Sequence, residues 1–140
     1  MNLLVPHDGS EFSNKTLDQA MELAGKMGGA TISSVIVVPD LCISFVGQDE
    51  CNLLDSSMRK EAQGIKKMVE DRLSKKGVAG EVHIKSGSPE TVILETADQV
   101  NADYIVMGAS GKHGSEGRGV LGGVTCKVIN MGKRSVIVIK

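Results

Sequence analysis

A glycine-rich stretch from Met107 to Lys127 contains the residue types that could hold a phosphate group, with seven glycines between positions 108 and 123. A predicted helix opens at its end with Gly122, Gly123, Val124 and Thr125. A helix N-terminus offers unpaired N–H groups and a partial positive charge, so it binds anions without a lysine. Gly108 and Gly111 would let the loop fold closely over a ligand, and Thr125 adds a hydroxyl donor. A plain glycine-lined helix cap has the same geometry, so the pattern alone leaves both interpretations open.

The polar turn His7-Asp8-Gly9-Ser10 follows the first apolar run and is the second candidate for chemistry. Asp8 could accept hydrogen bonds from the amino group of a base or from a ribose. The alternative is an acid that is satisfied by the backbone amides of its own turn. Ser10 is predicted to cap the helix that follows it.

Two known phosphate-loop signatures do not fit this chain. Residues 117–122 read GxGxxG, but a dinucleotide-binding loop needs its first glycine directly after a strand, and the preceding apolar run ends at Met107. A Walker A loop is also absent from the sequence, because Gly111-Lys112 is followed by His113 and no glycine stands five places before Gly111.

Histidines and cysteines are too scattered in the sequence to predict a metal centre. The six residues are His7, His83, His113, Cys42, Cys51 and Cys126. Because no CxxC spacing occurs and no second ligand stands beside any histidine, we expect no metal held directly by the protein and no disulfide framework. A reducing cytoplasmic location is the corresponding default. Cys126 is expected to be a small helix residue and not a nucleophile.

The composition is that of one ordinary domain, which we place at residues 1–140. Sixteen basic side chains nearly balance seventeen acidic ones, whereas a nucleic-acid-binding domain would carry a basic excess. No apolar run approaches the roughly 18 residues of a membrane-spanning helix. We therefore expect neither a nucleic-acid partner nor a membrane partner. Aromatic residues are scarce, with one Tyr, two Phe and no Trp, so the core must be aliphatic.

Hydrophobic periodicity predicts strands that alternate with helices. Strands are predicted at 2–5, 31–38, 81–85, 104–107 and 135–139, and helices after Ser10, over 54–73, from Ser88 and over 124–131. Residues 40–53 show no clear period. This order predicts an α/β fold with one parallel sheet and helices on both faces. Ligands bind beyond the carboxyl ends of such strands, so the polar turn and the glycine-rich stretch would flank one crevice if strands one and four are neighbours.

The chain resembles the universal stress protein family across nearly its full length. The matching segments are 4–10, 87–89, 102–108 and 135–138. The nucleotide-binding branch of the family carries the pattern G-x2-G-x9-G-[ST], which Gly108, Gly111 and Gly122 follow in part. The resemblance implies a five-stranded, Rossmann-like sheet of the adenine nucleotide alpha hydrolase type, in the order 3-2-1-4-5.

The same resemblance implies a stress regulator or sensor that binds ATP, or ADP or AMP, with Mg or Mn held by the phosphates. The nucleotide-binding residues it carries over are Pro6, His7, Asp8, Ser10, Ile36, Met107, Gly108, Ser110, Gly111, Gly122, Gly123, Val124 and Thr125. Asp8 would contact the adenine, and Ile36 would pack near the base and ribose. A homodimer would form through the last strand, Ser135 to Ile139. No general base or nucleophile is placed for hydrolysis, so we expect no enzyme and at most slow, incidental turnover.

Two departures from the family pattern leave other functions open. The spacer from Lys112 to Leu121 holds ten residues, one more than the pattern, and Gly123 stands where the family has Ser or Thr. One lost hydrogen bond to a charged group costs about 1.5–3 kcal/mol, which would weaken ATP binding by roughly tenfold to a hundredfold and could shift the preference toward AMP or ADP. The alternative is a stress protein without nucleotide binding that acts through dimer and protein contacts. A third candidate, an adenylyl-transferring enzyme, would need a glycine-serine phosphate loop that residues 6–10 do not supply.

Overall fold

The computed structural model describes residues 1–40, 47–110 and 121–140. These residues form five strands that alternate with four helices, as the periodicity predicts. The strands are β1 (Asn2–Pro6), β2 (Thr31–Val38), β3 (Gly80–Ser86), β4 (Tyr104–Gly108) and β5 (Ser135–Ile139). The helices are α1 (Glu11–Lys26), α2 (Gln48–Lys75), α3 (Pro89–Gln99) and α4 (Gly123–Met131).

All neighbouring strands pair in parallel, in the order β3-β2-β1-β4-β5. The predicted fold class and strand order are therefore confirmed. Leu3 pairs with Ile32 of β2 on one side and with Tyr104 of β4 on the other. Since β1 and β4 run in the same direction, their carboxyl ends lie side by side, which is the condition for the predicted crevice.

Each face of the sheet packs against two helices. One core cluster joins the sheet to α1 and α2 and includes Leu3, Val5, Leu17, Ala20, Ile36 and Val69. The other joins the sheet to α3 and α4 and includes Leu4, Val35, Ile93, Ile105, Met107 and Val128. Neighbouring residues of one strand fall into different clusters because side chains alternate across a sheet. In the part of the chain that the structure describes, no helix is both long enough and apolar enough to cross a bilayer.

Helix α2 begins earlier than the sequence indicates, at Gln48, inside the stretch 40–53 that shows no period. Its first two turns are exposed except at Cys51, so they carry no apolar stripe that periodicity could detect. Leu54 was predicted on the buried face, but it is 43% exposed. The later positions of the predicted face, Ala62, Val69 and Leu73, are buried.

The sequence predicts no disulfide framework, but Cys51 is disulfide-bonded. Cys126 has a free thiol and lies in α4, as expected. Spacing in the sequence could not reveal the bond, because pairing depends on how closely the fold brings two Cα atoms together.

The turn between β1 and α1 lies directly beneath α2. Gly9 has a φ of +84°, and a Cβ built on it would lie 2.8 Å from Cδ1 of Ile65. Only glycine adopts this φ at little cost, and only glycine leaves Ile65 undisturbed. Helix α2 therefore helps to fix the turn that carries Asp8.

We expect Gly9→Ala to destabilise the protein more than Gly28→Ala. Gly28 has nearly the same φ, +83°, but no described atom lies within 4 Å of a Cβ built there. Both variants carry a left-handed backbone cost of about 1–2 kcal/mol, and Gly9→Ala adds an overpacking cost of about 1 kcal/mol against Ile65. Urea unfolding of both variants measures the difference.

The double variant Gly9→Ala with Ile65→Val is the control, because it removes the Cδ1 atom that the new Cβ meets. Because Ile65→Val alone costs about 0.5–1.5 kcal/mol, the comparison is made in that background, where adding Gly9→Ala should cost less than it does in the unmodified protein. Equal losses in the two single variants would contradict the proposed contact.

Candidate functional site

The two predicted loops meet at the carboxyl ends of β1 and β4. Phe12, in the first turn of α1, contacts Gly108 at the end of β4. A Cβ built on Gly108 would lie 2.6 Å from Cδ1 of the Phe12 ring, so no other residue fits there without moving the ring. The start of α1 and the start of the glycine-rich stretch are thus packed together at the carboxyl ends of β1 and β4.

The carboxylate of Asp8 is held by the turn in which it lies. Its Oδ1 accepts hydrogen bonds from the Ser10 N–H at 3.0 Å and from the Ser13 hydroxyl. Ser10 caps α1 as predicted, because its Oγ accepts from the Ser13 N–H at 3.1 Å. Asp8 remains exposed. One backbone amide and one hydroxyl of its own turn therefore hold the Asp8 carboxylate in place.

His7 lies beneath this turn and is only 3% exposed. Its Nδ1 accepts a hydrogen bond from the Gly9 N–H at 3.1 Å, and its Nε2 lies 3.0 Å from Oδ1 of Asn14. These partners assign the proton to Nε2, since Nδ1 acts as the acceptor. Burial lowers the pKa of His7 below its ordinary value. The imidazole is thus a neutral, buried support for the turn, and its side chain does not line the surface of the crevice.

Ile36 and Met107 were predicted to lie near the nucleotide, and both side chains are packed in the core. Ile36 is 2% exposed in the cluster beneath α1 and α2, whereas Met107 is 6% exposed in the cluster beneath α3 and α4. They lie on opposite faces of the sheet. Pro6, at the end of β1, is half-buried and is the β1 residue nearest the crevice.

The two ends of the glycine-rich stretch come together, although it spans the undescribed residues 111–120. The Gly122 N–H donates to the Ala109 carbonyl at 2.7 Å, and the Ala109 N–H donates to the Ile139 carbonyl at 2.7 Å. Ser110 is half-buried beside them. Gly111, a predicted binding residue, lies outside the described residues. The end of β4, the end of β5 and the start of α4 therefore form one hydrogen-bonded unit.

Helix α4 presents an N-terminus suited to an anion. Its first intrahelical hydrogen bond runs from the Cys126 N–H to the Gly122 carbonyl, at 3.0 Å. The N–H groups of Gly123, Val124 and Thr125 come before that bond, so they have no acceptor within the helix. The N-cap residue, Gly122, has no side chain to cap them. Unpaired amides and a positive helix end are the two features by which helix N-termini hold anions.

The hydroxyl of Thr125 has another role than the one predicted. It donates to the Gly108 carbonyl at 2.9 Å, and Thr125 is 5% exposed. This bond ties the first turn of α4 to the end of β4. Thr125 can still offer a backbone N–H to a ligand, but its hydroxyl is engaged within the protein.

Sequence reasoning missed four residues that shape the site: Phe12, Ser13, Asn14 and Ile139. Ser13 and Asn14 are buried polar residues in the first turns of α1. Polar side chains on the inward side of an amphipathic helix indicate polar neighbours, and this signal was present in the sequence. Phe12 and Ile139 carried no comparable signal, because their roles depend on which strands become neighbours.

Within the described ranges, no group of three or more His, Cys, Asp or Glu side chains is placed to hold a metal ion. His83 lies on the edge strand β3, where its Nε2 is 3.3 Å from Oε2 of Glu81. Two strands, β2 and β1, separate it from β4.

The sequence matches the model of the universal stress protein family over residues 1–140. Universal stress protein MJ0531 of Methanocaldococcus jannaschii is 28% identical over 138 residues, covering 99% of this chain and 81% of that protein. Universal stress protein YxiE of Bacillus subtilis is 29% identical over 146 residues, covering 99% and 97%. The chain belongs to the universal stress protein family.

Solved structures with the same fold include proteins that bind nucleotides. UspA from Lactobacillus plantarum has a TM-score of 0.86 at 26% identity, covering 100% of this chain and 97% of that one. A universal stress protein from Archaeoglobus fulgidus in complex with dAMP has a TM-score of 0.69 at 26% identity, covering 100% and 98%. A further structure, a universal stress protein in complex with cAMP, has a TM-score of 0.72 at 24% identity, covering 99% of this chain and 94% of that one.

We expect Thr125→Val to lower the free energy of unfolding. Valine keeps the shape of the side chain but leaves the Gly108 carbonyl without its hydroxyl donor, at a cost of about 1–3 kcal/mol. Thr125→Ser keeps the donor and is the matched control. Denaturant unfolding should show a larger loss for Val than for Ser. A loss for Val no larger than the loss for Ser would contradict the stabilising role assigned to the hydroxyl.

Proposed function

We propose that this universal stress protein binds an adenine nucleotide in the crevice between the Asp8 turn and the N-terminus of α4. We place the protein in the cytoplasm. Binding of ATP, ADP or AMP would let it act as a regulator or sensor in a stress response. Mg or Mn would be held by the phosphates. We further propose that the protein is not an enzyme and that any ATP hydrolysis is slow and incidental.

The observation that carries this proposal is the start of α4. The amides of Gly123, Val124 and Thr125 precede the first intrahelical bond, and they follow directly on Gly122, which is bonded to Ala109. A phosphate placed there would lie beside the end of β4. Partial positive charge and N–H donors are the two features that anion binding needs. The dAMP complex of the Archaeoglobus fulgidus relative supports an adenine nucleotide as the anion.

The base would lie toward Asp8. This carboxylate is exposed and fixed in place by its bonds to Ser10 and Ser13. A preorganised acceptor gains affinity because little conformational freedom is lost on binding. Its chemistry suits the amino group of adenine or the hydroxyls of ribose, and both are donors.

A second candidate is a stress protein that does not bind nucleotides and acts through protein contacts. Two donors near the phosphate position are used within the protein: the Gly122 N–H bonds to Ala109, and the Thr125 hydroxyl bonds to Gly108. Gly123 supplies no hydroxyl of its own. These features favour weak binding and, at the limit, none.

A homodimer through β5 is compatible with both candidates. Strand β5 is one edge of the sheet, and residues 136–139, all Val or Ile, remain partly exposed. The opposite edge, β3, carries Glu81, His83 and Lys85, and charged side chains discourage pairing at an edge. We therefore propose that the dimer forms at β5, where pairing would cover apolar surface.

Gly123→Ser should strengthen nucleotide binding if the site is as proposed. No described atom lies within 4 Å of a Cβ built on Gly123, so serine fits without a clash. The added hydroxyl should improve ATP affinity by roughly tenfold to a hundredfold, the equivalent of about 1.5–3 kcal/mol. Isothermal titration with ATP, ADP and AMP measures the effect.

Gly123→Ala is the matched control, since it restricts the backbone by adding a Cβ as serine does but adds no hydroxyl. The Gly123→Ser variant should bind ATP more tightly than Gly123→Ala, and the affinity of Gly123→Ala should resemble that of the unmodified protein. No binding of any nucleotide by any of the three proteins at millimolar concentration would reject the proposal and favour the second candidate.

A further inference from the structure

We infer that His7 is a positioning residue for Asp8: its neutral imidazole holds the turn in the binding conformation, and protonation of the ring releases the turn and weakens nucleotide binding. This inference rests on the proposed function, because Asp8 is the group proposed to meet the base. His7 itself touches no ligand in this account.

The bond between Gly9 and His7 sets the direction of the peptide that follows Asp8. The Gly9 N–H donates to Nδ1 of His7 at 3.1 Å, and this N–H belongs to the peptide bond between Asp8 and Gly9. Fixing that peptide plane fixes ψ of Asp8 together with the φ of +84° at Gly9. The side-chain bonds of Asp8 to Ser10 and Ser13 then hold the carboxylate. The imidazole therefore restrains the turn together with these side-chain bonds and the contact with Ile65.

Only the neutral ring can provide this restraint. A protonated imidazole carries N–H on both nitrogens, so Nδ1 of His7 would confront the Gly9 N–H with a second donor. The Nε2 side is unaffected, because it donates to Oδ1 of Asn14 in either state. Protonation thus replaces the bond between Gly9 and His7 with a repulsion. Water cannot relieve this repulsion easily, because His7 is only 3% exposed.

The groups around His7 decide how readily it takes a proton. Burial lowers its pKa most strongly, and Arg72 of α2 lowers it further. Asn14 and Asp18 of α1 and Asp8 in the turn act in the opposite direction. Arg72 is itself bonded to both oxygens of Asp18, at 3.0 and 3.1 Å. The net result is a pKa below the ordinary value of 6.5.

The sign of the effect on stability follows from this shift. Since the pKa of His7 is lower in the folded protein than in the unfolded chain, unfolding takes up a proton as the pH falls below 6.5. The contribution of His7 to the free energy of unfolding is complete above pH 6.5 and is lost progressively below it. Nucleotide affinity should fall at the still lower pH where the folded protein takes up the proton.

The test is the affinity for AMP, measured by titration calorimetry from about pH 8 to about pH 5, the range in which histidines titrate. In the unmodified protein the affinity should fall by up to about tenfold per pH unit below the pKa of His7, since one proton is linked to the loss. His7→Asn places an amide oxygen at the position of Nδ1. This oxygen can accept the hydrogen bond from the Gly9 N–H, and it cannot be protonated. The affinity of this variant should not show that fall with pH. Protonation of AMP affects both proteins equally, so it cancels in the comparison.

Asn14→Asp supplies a readout that a purely structural role would not move. A carboxylate at Nε2 favours the charged ring, so the fall in affinity should shift to higher pH. Identical pH profiles for the unmodified protein and His7→Asn, or a midpoint that Asn14→Asp leaves in place, would overturn the inference.

An NMR titration without nucleotide separates this inference from the proposed function. The Gly9 amide resonance should shift with the same midpoint as the His7 ring. A Gly9 amide that does not respond to ring titration would overturn the inference even if AMP binds. If the Gly9 amide responds but AMP binds at no pH, the proposed function fails, and with it the link from His7 to binding.

Discussion

The parallel pairing of β1 with β4 is the constraint on which the site depends. It brings together two segments that are about a hundred residues apart, as the register of Leu3 with Tyr104 shows. Beyond that pair, one strand leads into the Asp8 turn and the other into the glycine-rich stretch. Had β4 paired elsewhere, Phe12 could not contact Gly108, and the N-terminus of α4 would face a different strand.

Hydrogen bonds within the protein organise this crevice and also limit it. Asp8 is fixed by Ser10 and Ser13, Gly122 by Ala109, and Gly108 by Thr125. Such bonds lower the entropic cost of binding because the polar groups are already in position. Each bond made internally is also a donor or acceptor that a ligand does not gain. The amides at positions 123–125 stand apart from this network, since helix geometry leaves them without an intrahelical partner.

Local rules recovered much of the fold from the sequence. Strand periodicity, the Ser10 cap and the proline at the start of α3 each predicted an element that the structure contains. The start of α2 could not be predicted, because an exposed helical turn has no apolar stripe. The inward position of His7 and the internal bond of the Thr125 hydroxyl also escaped prediction. Both depend on side-chain rotamers and on contacts that exist only in the folded chain, and neither leaves a periodic signal.

The most direct test of the account compares AMP with adenosine by following backbone amide resonances. If the N-terminus of α4 binds the phosphate, AMP should shift the amides of Gly123, Val124 and Thr125, and adenosine should leave them nearly unchanged. Both ligands should shift the amides of the Asp8 turn. Equal shifts at 123–125 with adenosine and AMP, or no shift there with AMP, would contradict the central claim.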